Sequence, residues 1–379
     1  MKILFVCGGT AGHINPALAV ANKFKERYKT NNLEILFAGT PDGMESRLVK
    51  EAGYDFASIE VKGISRKLTF KNIMHNINAL KCLMFASHRA KKIIKDFSPD
   101  IILGTGGYVS YPVISCGIKM GIKTAIHEQN AFPGISNKAL GKKTDIVFVA
   151  VKEAIKHFKT KNTPIVTGNP VRDSVIFQSK SEAKQKLGLD DKPLIYSVGG
   201  SLGAVSVNKI AADLIEWHIK ENNVNHIHGY GKNGVGSFDK MLTDRNVPVF
   251  ELGGLDSNKN IRIGEYIKNS DLCLAAADLV ISRCGAVTIS ELQVTGKPSV
   301  LIPSPNVTEN HQYYNGKVLS DAGAAILIEE KDYDKDKLIS QISDLLKTPE
   351  KLKKMGDAAS KMAILNTAEI IVDKMIDLL

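Results

Sequence analysis

Side chains able to move a proton or hold an anion or a sugar gather at five places in this 379-residue chain. His13 closes the run KILFVCGGTAGH at residues 2–13, directly after a glycine cluster. HEQN at 127–130 sets an imidazole, a carboxylate and two amides side by side after KTAI. GNPVR at 168–172 offers Arg172, and SRCGAVTISE at 282–291 places Glu291 two turns into a helix that starts after Gly285. NHQYYN at 310–315 adds Gln312 and Asn315. Histidine titrates near neutrality and suits general acid–base work. A carboxylate such as Glu291 can take two hydroxyls of a sugar. Each group also has a plain structural reading: a helix-start histidine bonded to backbone, a capped loop, a solvated arginine, a surface glutamate.

The glycines narrow the chemistry. Gly8-Gly9-Thr10 and Gly199-Gly200-Ser201 each stand between a strand-like run and a helical pattern, and ILGTGGYVS at 102–110 makes a third such turn. Backbone N–H groups at turns of this kind converge on an anion at a helix N-terminus. Tight strand–helix packing is the alternative use of the same glycines. Thr10 stands where a second glycine of G-x-G-x-x-G would be, and no G-x-x-x-x-G-K-[ST] occurs, which argues against a dinucleotide dehydrogenase or a P-loop enzyme. DYDKD at 332–336 has an Asp-x-Asp spacing, but it precedes a helix and alternates with lysines, so capping and solvation are expected and no metal site.

Strands and helices must hold these groups in place. Strand-like runs occur at KILFVC, LEILFAG, YDFASIEV, IILG, KTAIHE, IVFVA and IVTG, with helical patterns at 16–28 and 72–95. The second half repeats the scheme with LIYSVGG, a helix at 207–220, VPVFEL, LVISR, PSVLIPS and AAILI. Strands apolar throughout, separated by helix-length segments, indicate α/β architecture with parallel sheets covered on both faces. LFVCGGTAGH and IYSVGGSLGA echo one another, so two Rossmann-like domains in series are expected, at 1–166 and 167–349. The lysine-rich helical stretch at about 350–379 is expected to pack back onto the first.

Composition sets the outer limits. With 44% apolar and 24% charged residues the chain is that of a soluble globular protein, and no window approaches the ~18 apolar residues of a membrane span. Met1-Lys2 leads straight into a strand without a small-residue cleavage site, which argues against a secretory leader. Cys7, Cys82, Cys116, Cys273 and Cys284 are odd in number and scattered, which suits reduced, buried thiols. Residues 1–165 carry 25 Lys+Arg against 12 Asp+Glu, and the remainder 25 against 28. The basic half suggests an anionic partner. Nucleic acid fits that charge, but no nucleic-acid motif or aromatic stacking platform accompanies it.

Taken together in order and spacing, GGTAGHINPALAVA, GTGGYVSYPV, HEQNAFPGISN, GNPVR, GGSLGA, SRCGAVTISEL and NHQYYN resemble the MurG family. These are the UDP-N-acetylglucosamine transferases that make lipid II in bacterial peptidoglycan synthesis. The resemblance covers about residues 2–328. It implies a GT-B fold, two Rossmann-like domains with parallel sheets facing across a cleft, the first serving the acceptor and membrane and the second UDP-GlcNAc. It implies inverting transfer of GlcNAc from UDP-GlcNAc to the C4 hydroxyl of lipid I, with no cofactor and no metal.

By that likeness Ile267 offers its backbone to uracil, and Glu291 binds the ribose hydroxyls with Arg172 near the nucleotide. Ser201 and the amides of Ala286, Val287 and Thr288, with Ile289 and Ser290 following, cradle the diphosphate. Gln312 and Asn130 meet the GlcNAc hydroxyls, and Thr10, Ala11 and Gly12 close the pocket. Gly106, Gly107, Tyr108 and Asn137 fall on the acceptor side. The catalytic base is His13 or Glu128. Two positions depart from the family pattern: Ala11 replaces a glycine in GGTGGH, which bears on that loop's shape, and Leu202 replaces a frequent glutamine.

The likeness further implies peripheral attachment to the cytoplasmic face of the cell membrane and association with other cell-wall synthesis proteins. Lys62, Arg66, Lys67 and Lys71, leading into Ile73, Met74, Ile77, Leu80, Leu83 and Met84, make a surface suited to anionic lipid. An ordinary core-facing helix is the alternative there. A UDP-GlcNAc 2-epimerase of the same fold and a non-catalytic UDP-sugar sensor are the rival functions.

Overall fold

The computed structural model describes residues 1–28, 32–61, 85–176, 178–200, 202–221 and 223–379. Ser201, Cys82 and the basic segment from Lys62 to Met84 therefore lie outside the described residues. The chain forms two compact units, Met1–Pro170 with Ile364–Leu379, and Val171–Ala363.

The first unit is built on seven strands: β1 (Lys2–Val6), β2 (Glu34–Gly39), β3 (Asp55–Ser58), β4 (Ile101–Gly104), β5 (Lys123–Glu128), β6 (Ile146–Val149) and β7 (Ile165–Val166). All pair in parallel, in the order β3-β2-β1-β4-β5-β6-β7. Successive side chains of a strand point to opposite faces. Ile3 and Phe5 accordingly enter one core, with Ala17, Val20 and Phe24 of the helix Ala11–Arg27. Leu4 and Val6 enter the other, with Val109, Val113 and Ile114. Burial on both faces is why β1 reads as an unbroken apolar run.

The chain end returns to the first core. Ile371, Val372 and Met375 of the helix Thr367–Ile376 join Phe24 and Ile101 there, and Thr367 Oγ1 donates to the Thr167 carbonyl at 2.6 Å. Lys23–Glu369 and Arg27–Asp373 ion pairs flank the contact. The return starts at Ile364 rather than near residue 350. Helix Pro349–Ser360 stays in the second unit because Gly356 lets its backbone lie against the carbonyl of Gly296; a Cβ there would stand 2.5 Å from that oxygen.

The second unit repeats the plan with β8 (Leu194–Val198), β9 (Asn225–Gly229), β10 (Ile261–Gly264), β11 (Leu279–Ser282), β12 (Ser299–Leu301) and β13 (Ala325–Leu327), ordered β10-β9-β8-β11-β12-β13. β9 and β10 were not legible as strands. VPVFEL is no strand: Val249–Glu251 forms a 3₁₀ turn after Pro248, and Phe250 is 82% exposed. The place beside β9 that it would fill belongs to Ile261–Gly264. β9 hides its character because Asn225, His226 and His228 are polar yet fully buried. Their burial is made tolerable by a chain of hydrogen bonds. Ser197 Oγ lies 2.7 Å from His226 Nε2 and 2.8 Å from His228 Nδ1, and His226 Nδ1 lies 2.9 Å from His218 Nε2.

In each sheet the strand order reverses once about its first strand, between β1 and β4 and between β8 and β11. Ligands of open α/β sheets bind beyond the carboxyl ends of strands at such points. All three glycine turns and the SRCG turn follow these four strands.

Burial lowers the three histidines, His218 to about 4, His228 to about 3 and His226 well below its ordinary value. The folded chain keeps them neutral where the unfolded chain protonates them near pH 6.5, so stability is present at neutral pH and is lost as pH falls from about 6.5 towards 4. His218 and His228 are each expected to withdraw about 2 kcal/mol between about pH 7 and pH 5, and His226 acts in the same direction. Guanidinium unfolding followed by Trp217, the single tryptophan, in the helix Val205–His218, checks this; equal midpoints at the two pH values contradict it.

Candidate functional site

In the first unit β1 runs into Gly8 and Gly9 (φ +87°), and Thr10 in extended conformation is the N-cap of the helix Ala11–Arg27. The Thr10 side chain makes no capping hydrogen bond, and no acidic residue stands in the first turn of that helix. Ala11 takes helical backbone, so its methyl meets no strain and the departure from GGTGGH leaves the turn intact.

His13 Nδ1 lies 3.0 Å from the Gly8 carbonyl. A carbonyl only accepts, so Nδ1 carries the proton and the basic lone pair falls on Nε2. Thr10 Oγ1 approaches the same Nδ1 at 3.5 Å. The ring lies on Gly106 (φ +123°), where a Cβ would stand 2.6 Å from His13 Cδ2. At Gly107 (φ +87°) a Cβ would collide with the Gly8 carbonyl. The β4 turn is glycine-rich because the β1 turn and an imidazole lie against its backbone. Thr105 Oγ1 donates to the His13 carbonyl at 2.7 Å, and Gln129 Nε2 donates to the Thr105 carbonyl at 2.8 Å, which ties the ends of β1, β4 and β5 together.

The anion cradle expected at Gly8-Gly9-Thr10 is not open as the spacing suggested. Gly9 N–H donates to Glu45 Oε2 at 3.1 Å, and the carboxylate is fully buried. Sequence reasoning missed Glu45; its one signal is the pair of glycines, Gly39 and Gly43, that make room for it.

Glu128 ends β5 with every acceptor direction used. Oε1 accepts from Asn130 N at 2.9 Å and Asn130 Nδ2 at 3.0 Å; Oε2 accepts from Gly134 N at 3.1 Å and Asn137 Nδ2 at 2.9 Å. A buried carboxylate so bonded organises its loop and has no free lone pair for a substrate proton. Asn137 is likewise turned inward, while Tyr108 stands 63% exposed on the β4 turn. His127 is buried and lowered by desolvation, with Nε2 donating to Gly168 O at 2.9 Å and Nδ1 accepting from Gln129 Nε2 at 3.0 Å.

In the second unit Gly285 is the N-cap of the helix Ala286–Val294, which has no acidic residue in its first turn. Val287 and Thr288 fall in that turn. Ile289 is buried, and Ser290 Oγ donates to the Ala286 carbonyl at 3.2 Å. Glu291 Oε1 pairs with Arg172 Nη2 at 3.6 Å beside a cavity of about 60 Å³ whose walls include Tyr196, Asp271 and Thr288. Burial pushes the Glu291 carboxyl up, Arg172 opposes this, and Asp271 adds to it.

Tyr196 and Asp271 were not anticipated; for Tyr196 the available signal was an aromatic hydroxyl within the buried strand LIYSV. The Ile267 side chain is buried against Gly229. Gln312 Oε1 accepts from Ser304 N at 2.9 Å, which directs its amide NH₂ away from that bond. Asn315 Nδ2 donates to the Cys284 carbonyl at 3.1 Å and so braces the SRCG turn. Leu202 is exposed on the β8 turn, and Asp334 caps the helix Lys335–Leu346 by accepting from Lys337 N, the capping use read for DYDKD.

The models of the glycosyltransferase family 28 N-terminal and C-terminal domains match residues 3–149 and 194–371. A UDP-N-acetylglucosamine–N-acetylmuramyl-(pentapeptide) pyrophosphoryl-undecaprenol N-acetylglucosamine transferase of Acetivibrio thermocellus is 41% identical over 100% of this chain and 98% of its own length. The protein of the same name from Thermoanaerobacter sp. is 40% identical, with 98% of each chain covered. Among solved structures, MurG of Acinetobacter baumannii aligns with a TM-score of 0.76 and 27% identity over 99% of both chains. A UDP-GlcNAc 2-epimerase from Neisseria meningitidis bound to UDP-GlcNAc aligns with a TM-score of 0.67 at 16% identity over 100% of both, a likeness of fold alone.

Glu128→Ala leaves four donors facing an empty site, and truncating one partner of a buried charged network costs about 3 kcal/mol. The first unit is expected to melt earlier by several degrees, and Asn130 and Asn137 to lose their fixed rotamers. A melting curve superimposable on that of the parent chain contradicts the organising role.

Proposed function

This chain belongs to glycosyltransferase family 28, and from that premise we propose that it is a MurG-type enzyme of the GT-B fold. It moves GlcNAc from UDP-GlcNAc to the C4 hydroxyl of lipid I and yields lipid II and UDP. Relatives at 38–41% identity over nearly the full chain carry that transferase name, whereas the epimerases share only architecture. A silent sensor would have no use for a histidine whose basic nitrogen is kept clear.

The His13 ring carries the chemistry of this reading. With Nδ1–H given to the Gly8 carbonyl, Nε2 has no partner among the described residues and can take the proton of the acceptor hydroxyl. The hydroxyl oxygen then bonds to the anomeric carbon as the bond to the UDP oxygen breaks on the opposite face, with inversion. Negative charge grows on the departing diphosphate. The helix Ala286–Val294, free of acidic residues in its first turn, would lower the barrier where that charge develops. Glu291 would take the ribose hydroxyls, with Arg172 beside it, and the Ile267 backbone would meet uracil. Asn130 and Gln312 would contact GlcNAc. Glu128 would position Asn130 and is not the base in this assignment.

The first unit would serve the acceptor, through Gly106, Gly107 and Tyr108, and the second would hold the donor. We place the enzyme peripherally on the cytoplasmic face of the membrane. Among the described residues no helix is long and apolar enough to cross a bilayer. The helix at 85–97 buries Ala86, Ala90 and Ile94 and leaves Phe85, Arg89, Lys91 and Lys92 exposed, a face that suits anionic lipid.

UDP release is expected to require UDP-GlcNAc and a lipid I analogue together; release without the acceptor would favour hydrolysis or epimerisation. His13→Ala should lower kcat by about 10²–10⁴-fold while donor affinity stays within about threefold, and unchanged turnover removes His13 from the role. Because the Glu291 carboxyl is raised, donor affinity should weaken on acidification at a higher pH than an ordinary carboxylate would give. Calorimetric titration of UDP-GlcNAc against the parent chain and Glu291→Ala checks this: the variant should bind weakly and without that pH dependence.

A further inference from the structure

Glu45 is a fully buried acid outside every role assigned so far. It is the second residue of the helix Met44–Glu51, yet its side chain turns back to the β1 turn. Oε1 accepts from Thr40 N at 2.9 Å and from Thr40 Oγ1, and Oε2 accepts from Gly9 N at 3.1 Å. The surroundings are shaped to admit it. A Cβ on Gly8 would lie 2.6 Å from Glu45 Oε1, and one on Gly39 would lie 2.6 Å from its Cγ. Gly43 has no room for a Cβ beside the same carboxylate. Those hydrogen bonds outweigh burial and hold the carboxyl below its ordinary range, so it stays ionised at neutral pH.

The Gly9 N–H and the Gly8 C=O belong to one planar peptide and point in opposite directions. Glu45 holds the first, and His13 Nδ1–H is bonded to the second. We propose that Glu45 is a positioning residue that acts on His13 through the Gly8–Gly9 peptide, fixing the imidazole in the Nδ1–H tautomer with Nε2 bare. Hydrogen bonds in series polarise one another, so a carboxylate on the N–H strengthens the carbonyl as an acceptor. The same contact fills the anion seat of the first glycine turn from inside the protein. An ionised substrate group is therefore excluded from the Gly9 amide. The kinetic side of this inference rests on the transferase reading above; the tautomer does not.

Glu45→Gln keeps the shape but has one acceptor oxygen, so either Gly9 N–H or Thr40 N–H must face a donor. With the full chain, UDP-GlcNAc and a lipid I analogue, kcat should fall roughly 10–100-fold while KM for UDP-GlcNAc changes less than about threefold. Thr40→Val removes the hydroxyl and keeps both backbone bonds, and should leave kcat within about threefold of the parent. Long-range ¹H–¹⁵N spectra of histidine-labelled protein should show His13 of the parent chain as the Nδ1–H form and a tautomer mixture in Glu45→Gln. A folded Glu45→Gln with parental kcat, or an Nε2–H form in the parent chain, overturns the proposal. If Glu45→Gln does not fold, the parent spectrum decides. If the parent chain releases no UDP with both substrates, the function assigned above fails, and the spectra still judge the tautomer.

Discussion

The first unit is organised around how closely one peptide can be approached. The Gly8–Gly9 plane is gripped on its N–H by Glu45, met on its C=O by His13, and covered by Gly107, where a side chain would strike the Gly8 oxygen. Four glycines at this place are there for space: Gly8 and Gly39 for the carboxylate, Gly106 for the imidazole, Gly107 for the carbonyl. Backbone so close-packed cannot drift, and the ends of β1, β4 and β5 are locked to it by Thr105 and Gln129. A side chain at Gly106 or Gly107 would displace the imidazole or the Gly8 carbonyl it is bonded to, and if His13 acts as proposed, a displacement of about 1 Å can cost two orders of magnitude in rate.

The two units share a plan and differ in what their turns do. Both have a parallel sheet with one reversal of strand order, and a glycine turn follows β1 and β8 alike. In the first unit the turn closes on an internal carboxylate and receives the His13 ring on its Gly8 carbonyl. In the second, the helix after β11 begins without acidic residues and has Glu291 on its flank. The same scaffold thus ends differently in each unit, with an imidazole bonded to backbone in one and a helix start free of acidic side chains in the other. In the proposed transfer the imidazole would receive the proton and the helix start would meet the departing charge.

Much of the architecture was written in hydrophobic pattern, and the lapses have physical causes. β1, β4 and β6 were legible because burial on both faces demands apolar side chains in sequence. β9 was not, since Ser197 bonds both His226 and His228, and His218 bonds His226, so buried polar groups stand where aliphatic ones would be expected. VPVFEL misled because an apolar run carries no information about which edge of a sheet is already occupied. Among the candidate residues, His13 and Glu291 were picked out by their position after glycine turns. Glu45 and Asp271 were not, because a charged residue early in a helix is usually a solvated or dipole-stabilising group.

The sequence by itself determined the α/β class, the repeated strand–turn–helix units, the glycine turns and the set of polar groups near them. All of these follow from local periodicity and from the steric freedom of glycine. Only the tertiary structure decided which amides are spent, which tautomer His13 holds and that Glu128 is fully bonded. Those depend on contacts such as Glu45 with Gly9, 36 residues apart, and Thr105 with His13, 92 apart, whose directions no local pattern encodes.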